Sequence, residues 1–155
     1  MMERSVRGFE LAMWAIWLGA LWFMAILVAP GLFKWLARAD AGLVAGRLFV
    51  MLSWYSVGAT VLLALLSNAG SALRADFKLN LALVLVLAVA VVELAWMHPH
   101  MNALRASMGQ LTGEGLLEAQ ARFKQMHMTS SVLYSVKMIG ALVWGLRRYG
   151  VKAQH

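Results

Sequence analysis

Residues 79–96 read LNLALVLVLAVAVVELAW, and Glu93 is the one charge among them. At 1.5 Å per residue a helix of this length reaches ~27 Å, close to the ~30 Å of hydrocarbon in a bilayer. The run is apolar on every face, which suits a helix surrounded by lipid or fully buried. Residues 79–97 are therefore expected to form a membrane span, and the rest of the chain has to be compatible with a bilayer.

It is. Leu11 to Phe33 carries no charge, and Leu48 to Leu73 carries none either. A fourth apolar stretch runs from about Thr129 to Leu146, interrupted by Lys137. The expected spans are 10–31, 44–67, 79–97 and 129–147, within one membrane domain covering 1–155. The chain has 155 residues, 62% hydrophobic and only 14% charged. A soluble domain is nearer ~45–50% apolar and ~25% charged. Too few polar groups are present to cover a soluble surface, so the fold class is all-α, an integral membrane four-helix bundle.

Arg4 and Arg7 precede the first span as they would in a signal peptide. The apolar run is too long for a signal h-region and no A-x-A site closes it, so it reads as an uncleaved span. Pro30-Gly31 is expected to end it, Asn68 to Ser71 to supply a turn after the second span, and Pro99 to end the third near His98.

Between the third and fourth spans, Met101, Leu104, Met108 and Leu111 recur at helical spacing. Leu116, Ala119, Phe123 and Met126 form a second stripe beyond Thr112 to Gly115. The expectation is two short amphipathic helices at the membrane surface.

The net charge is +7, but the basic residues stand singly at the edges of apolar segments rather than in a basic stripe. Such residues anchor spans, and no nucleic-acid partner is expected; the bilayer itself is the partner, with a homo-oligomer or another membrane protein as further possibilities. Four spans place both termini on one side, with Arg4, Arg7, Arg74, Lys78, Arg147, Arg148 and Lys152. Lys34, Arg38, Arg47, Arg105, Arg122 and Lys124 lie on the other. The positive-inside rule then favours cytoplasmic termini, in a bacterial inner membrane.

Three charges fall inside or at the edge of spans: Arg47, Glu93 and Lys137. A charge at mid-bilayer costs ~2.5–3.5 kcal/mol on insertion scales, so each needs a partner or a wet cavity. Counting from the span ends, Glu93 lies ~7.5 Å and Lys137 ~12 Å below the same face, with Arg47 in the first turns of span two on that face. Glu93 is therefore expected to pair with Lys137, Arg47 or both. Such a pair serves either a polar intramembrane site or helix register.

Met97-His98-Pro99-His100-Met101 and Met126-His127-Met128 end spans three and four on that same face. Thioether and imidazole suit copper(I), and facing imidazoles suit haem iron. His98, His100 and His127, with Met97, Met101, Met126 and Met128, are the candidate ligands for copper or haem b; interfacial polar flanking is the plain alternative. Gly42-x-x-x-Gly46 is a small-xxx-small pattern expected to let span two pack closely on span one, with dimerisation as the alternative. Cys is absent, which removes thiol catalysis and iron–sulfur clusters. No Walker loop, GxGxxG, HExxH or Ser/His/Asp grouping is present, and no catalytic residue is assigned.

Ala29-Pro30-Gly31-Leu32-Phe33 followed by Ala41-Gly42, Gly46-Arg47-Leu48-Phe49 resembles a domain-of-unknown-function family of four-span membrane proteins that includes eukaryotic transmembrane protein 205. Pro99 with Leu104-Arg105, and Phe123, His127 and Ser130 or Ser131, match the family pattern further on. That family often carries Asn where this chain has Tyr134 to Lys137, so Lys137 departs from it. The resemblance implies a four-helix bundle and no established activity. A wider likeness to copper-resistance protein D and HemJ-type protoporphyrinogen oxidases implies metal or haem handling, and the transmembrane protein 205 likeness implies export. Three functional classes follow: a copper- or haem-binding membrane protein, a small transporter or export component, and a structural or assembly subunit.

Overall fold

The computed structural model describes residues 2–68 and 77–150. Among them four helices are long and apolar enough to cross a membrane: Ser5–Trp35, Arg38–Asn68, Asn80–Met108 and Gly113–Tyr149. They are called helices 1 to 4. No strand occurs among the described residues. Helix 1 packs on helix 2, helix 2 on helix 3, helix 3 on helix 4, and helix 4 back on helix 1. The expected all-α membrane bundle is what forms. Asn68, where the expected turn begins, is still the last residue of helix 2, and the rest of that turn, with Arg74 and Lys152, lies outside the described residues.

The core follows a 3–4 residue rhythm on every helix. Helix 1 buries Glu10, Trp17, Leu21 and Met24; helix 3 buries Leu83, Val86, Ala90, Glu93 and Met97; helix 4 buries Tyr134, Lys137, Ala141 and Trp144. Helix 2 buries Ala41, Ala45, Ser53, Ser56, Ala59, Thr60, Leu63 and Ser67. Seven of those eight are small, which lets the other helices approach its backbone closely, the usual means of packing where lipid supplies no hydrophobic drive. Hydrogen bonds between helices add to it. Trp14 Nε1 donates to the Ala141 carbonyl at 2.9 Å, Trp17 Nε1 to Ser56 Oγ at 3.1 Å, and the Tyr134 hydroxyl to the Leu21 carbonyl at 2.7 Å. The outer face carries large exposed apolar side chains such as Ile16, Phe23, Trp54, Leu65, Val84, Val136 and Ile139, the face a bilayer would cover.

Neither proline ends its helix. Helix 1 continues through Pro30 to Trp35, and helix 3 through Pro99 to Met108. The physical reason is a wider turn just upstream. A π-helical segment spans Met24–Val28 before Pro30, and another spans Glu93–Met97 before Pro99. The Ala29 N–H reaches back to the Met24 carbonyl, and the His98 N–H to the Glu93 carbonyl. Proline lacks a donor and its ring crowds the carbonyl four residues earlier. The extra residue in the preceding turn accommodates that ring without a break.

The two amphipathic stretches are helical, but each continues a span instead of lying apart from it. His98–Met108 prolongs helix 3, and the first third of Gly113–Tyr149 leads directly into the fourth span. They pack on one another across a turn at 109–112. Gly113 takes φ +59° there, a conformation side chains avoid. At 37 residues helix 4 is ~55 Å long, far more than the ~30 Å hydrocarbon core. The helix 3–helix 4 hairpin therefore extends past one end of the bundle.

Candidate functional site

The core rhythm brings Glu93 of helix 3 and Lys137 of helix 4 face to face. Lys137 Nζ donates to Glu93 Oε2 at 2.5 Å, with side-chain exposures of 0% and 2%. At that burial the pair has no water to replace either partner, so each charge depends on the other. The sequence-based pairing of these two residues is the geometry found.

Two further groups join them. Ser53 Oγ, from helix 2, donates to the same Glu93 Oε2 at 3.0 Å. His98 Nε2 lies 3.3 Å from the same Ser53 Oγ. With the Ser53 hydroxyl committed to the carboxylate, the imidazole N–H donates to the Ser53 oxygen. His98 is only half-buried. A hydrogen-bonded row thus runs from a partly accessible imidazole through a hydroxyl to a buried carboxylate and a buried ammonium. The Tyr134 ring sits under Lys137 Nζ, 4.9 Å from its centroid, and adds cation–π stabilisation. Glu93 is also the first residue of the π segment, and such turns gather at functional positions.

Arg47 does not join this group. It is exposed on helix 2, two turns from Ser53 toward the hairpin, and lines a surface groove with Arg105. Position 47 falls off the Ala41–Ala45–Ser53 stripe that faces the core. The glycines Gly42 and Gly46 do admit a close approach, but by Arg105 rather than by helix 1. A Cβ on Gly46 would lie 3.2 Å from Arg105 Nη1.

The candidate metal or haem ligands are not brought together. His100 Nδ1 is 2.7 Å from the Trp96 carbonyl of its own helix, on an exposed face. His127 is exposed and stacks on Phe123. His98 points into the bundle at Ser53. Met97 is buried, Met101 and Met126 are half-buried, and Met128 is exposed. Among the described residues no three of His, Asp or Glu come within reach of one metal ion. The ligand set proposed from sequence is dispersed because the helices continue through Pro99 and Thr129 and carry successive residues to different faces.

A second buried pair escaped the sequence reading. Glu10, fully buried at the start of helix 1, accepts from Arg148 Nε at 2.9 Å and from Arg148 Nη2 at 3.2 Å. It closes the termini end of the bundle between helices 1 and 4. Arg148 reads as an ordinary span flank in the sequence, and Glu10 carries no assignment there. The legible signal was that Glu10 continues the Trp17–Leu21–Met24 core stripe.

Residues 12–110 match the family model described as a domain of unknown function, DUF4149. The chain belongs to the DUF4149 family. No curated protein and no solved structure matches it. The DUF4149 match takes in Ser53, Glu93 and His98 and ends before helix 4, so Lys137 is contributed from outside the matched residues. DUF4149 residues thus supply the carboxylate, hydroxyl and imidazole, and the remainder of the chain supplies their counter-charge.

Proposed function

We propose that this DUF4149 protein is a proton-linked component of a small-solute or ion transport or export system, with Glu93 as its proton-exchanging group. The observation that carries the reading is the continuous row His98–Ser53–Glu93–Lys137. A hydroxyl accepts on one side while it donates on the other. When His98 passes its Nε2 proton to Ser53, the Ser53 proton moves to Glu93 Oε2. Glu93 becomes the neutral acid, and the His98 imidazolium that gave the proton is left as a neutral imidazole with its remaining proton on Nδ1, to be reprotonated from the hairpin side. Lys137 then loses its counter-charge, which gives helices 3 and 4 a reason to shift.

Beyond Glu93 the core holds Val86, Leu83, Ala141, Trp144 and Trp17 beside the buried Ser56, Thr60 and Ser67 of helix 2, whose hydroxyls donate to carbonyls of their own helix. With those hydroxyls committed to their own backbone, exchange is expected from one side, with release to the other gated by helix movement. The charge distribution supports cytoplasmic termini in a bacterial inner membrane, with the hairpin on the opposite face. The likeness of the Ala29 to Phe33 and Ala41 to Phe49 segments to transmembrane protein 205 fits an export role.

The test is proton movement in proteoliposomes carrying an internal pH indicator. Wild type moves protons slowly down an imposed pH gradient, and Glu93→Gln abolishes the movement. Equal rates in both would reject the proposal.

A second reading, that the protein is a structural or assembly subunit, is favoured by the presence of another buried interhelical pair, Glu10–Arg148. Both pairs would then serve as register devices. Replacing Glu93 and Lys137 together by Leu separates the two readings. Proton movement is lost under the first, and under the second partner binding and growth are kept.

A further inference from the structure

The hairpin side of the bundle holds a groove of about 690 Å³ between helix 2 and the extension of helix 3. Arg47, Arg105 and Asn102 supply its polar wall, and Leu43, Val50 and Met51 its apolar wall. No acidic side chain lines it, and neither arginine is in an ion pair among the described residues. Arg105 is held in place rather than free. Its guanidinium lies against Gly46 on one side and 5.3 Å from the Phe123 ring centroid on the other. The absence of a side chain at Gly46 is what makes room for it.

The height of the groove adds to the argument. Arg47 lies six residues from Ser53 along helix 2, ~9 Å nearer the hairpin end. Arg105 lies seven residues past His98, ~10 Å in the same direction. Two cations, Arg105 held in place and Arg47 exposed beside it, therefore sit with an amide just outside the buried polar row, along a groove with an apolar wall. Guanidinium groups match phosphate oxygens bidentately, and a cation pair selects a phosphate not already neutralised by an attached ammonium. The geometry points to a binding site for a phosphate-bearing anion, supplied either as the headgroup of an anionic membrane lipid or as free phosphate.

Two arms test this on the full chain. In the first, protein in nanodiscs of phosphatidylglycerol and phosphatidylcholine is released into neutral detergent, and retained lipid is counted by native mass spectrometry. Wild type is expected to retain phosphatidylglycerol over phosphatidylcholine. The Arg47→Gln/Arg105→Gln variant is expected to lose about tenfold or more in retention. Lys124→Gln, the loss of one charge on the exposed side of the hairpin, is expected to change nothing. In the second arm, delipidated protein is titrated with inorganic phosphate by calorimetry. Binding there that the double variant loses, without lipid preference in the first arm, assigns the site to free phosphate.

Gly46→Ala keeps both charges while pressing on Arg105, and is expected to weaken whichever ligand binds by a few-fold. It keeps the test valid if the double variant does not fold. Lipid retention and phosphate binding that are both absent in wild type, or both unchanged in these variants, would overturn the assignment.

Discussion

Lys137 and Glu93 meet across the interface of helices 3 and 4 at 2.5 Å, and neither is accessible to solvent or lipid. Each occupies a position that a leucine would ordinarily fill in the core stripe of its helix. The pair is thus a substitution of charge for packing at the centre of a membrane bundle, and its energetic behaviour follows from that. Removing one partner leaves an uncompensated buried charge, whereas removing both leaves a space that apolar side chains fill.

The first prediction concerns thermal unfolding in detergent. Lys137→Ala and Glu93→Ala should each destabilise the protein by about 3–5 kcal/mol. Exchanging both residues for Leu should cost much less than the sum of the singles. A double variant as unstable as the sum would mean that the two residues do not act as a pair.

Ser53→Ala interrupts the row between His98 and Glu93 without touching the ion pair. The loss of one hydrogen bond costs about 1 kcal/mol, so the fold should survive. Proton movement in proteoliposomes should fall nearly as far as in Glu93→Gln. Unchanged proton movement in Ser53→Ala would remove the hydroxyl from the path.

At the termini end, Arg148→Ala leaves Glu10 buried without its guanidinium and should cost about 3–5 kcal/mol in unfolding free energy. Arg148→Lys retains charge but not the two-pronged geometry, and should fall between wild type and Arg148→Ala. Because this pair lies apart from the His98 row, Arg148→Lys should leave proton movement intact.

Close packing of helices 1 and 4 depends on Gly145. A Cβ there would collide with the Trp14 indole, which is itself fixed by its hydrogen bond to the Ala141 carbonyl. Gly145→Ala should destabilise the bundle by about 1–3 kcal/mol. Combining it with Trp14→Ala should relieve the collision, so that the double variant is more stable than the two single effects added together.

The spans and the Glu93–Lys137 pair were legible in the sequence because both follow from length and depth along a regular helix. Other features depend on rotation around the helix, which depth does not report. Arg47 lies in the same half of the bundle as the pair, but nearly two turns nearer the hairpin and on the wrong face, off the Ala45–Ser53 stripe. Ser53 itself carries no charge and looked unremarkable in an apolar run. Its signal was the recurrence of Ser53, Ser56, Thr60 and Ser67 at core spacing on one face of helix 2. The helix ends at Pro30 and Pro99 were misjudged because a π turn upstream of each relieves the clash, and nothing in the residue types announces such a turn. Continuation through Pro99 also dispersed the histidines and methionines that a helix end would have gathered.

On the proposed function, Glu93 exchanges a proton with the hairpin side through Ser53 and His98. Infrared difference spectroscopy of the reconstituted protein on a step in pH reads this directly. A carboxyl band is expected to rise and fall with the step in wild type, to vanish in Glu93→Gln, and to respond much more slowly in Ser53→Ala. A wild-type spectrum with no Glu93 band across the pH range in which the bundle stays folded would contradict the account and leave the pair as a structural device.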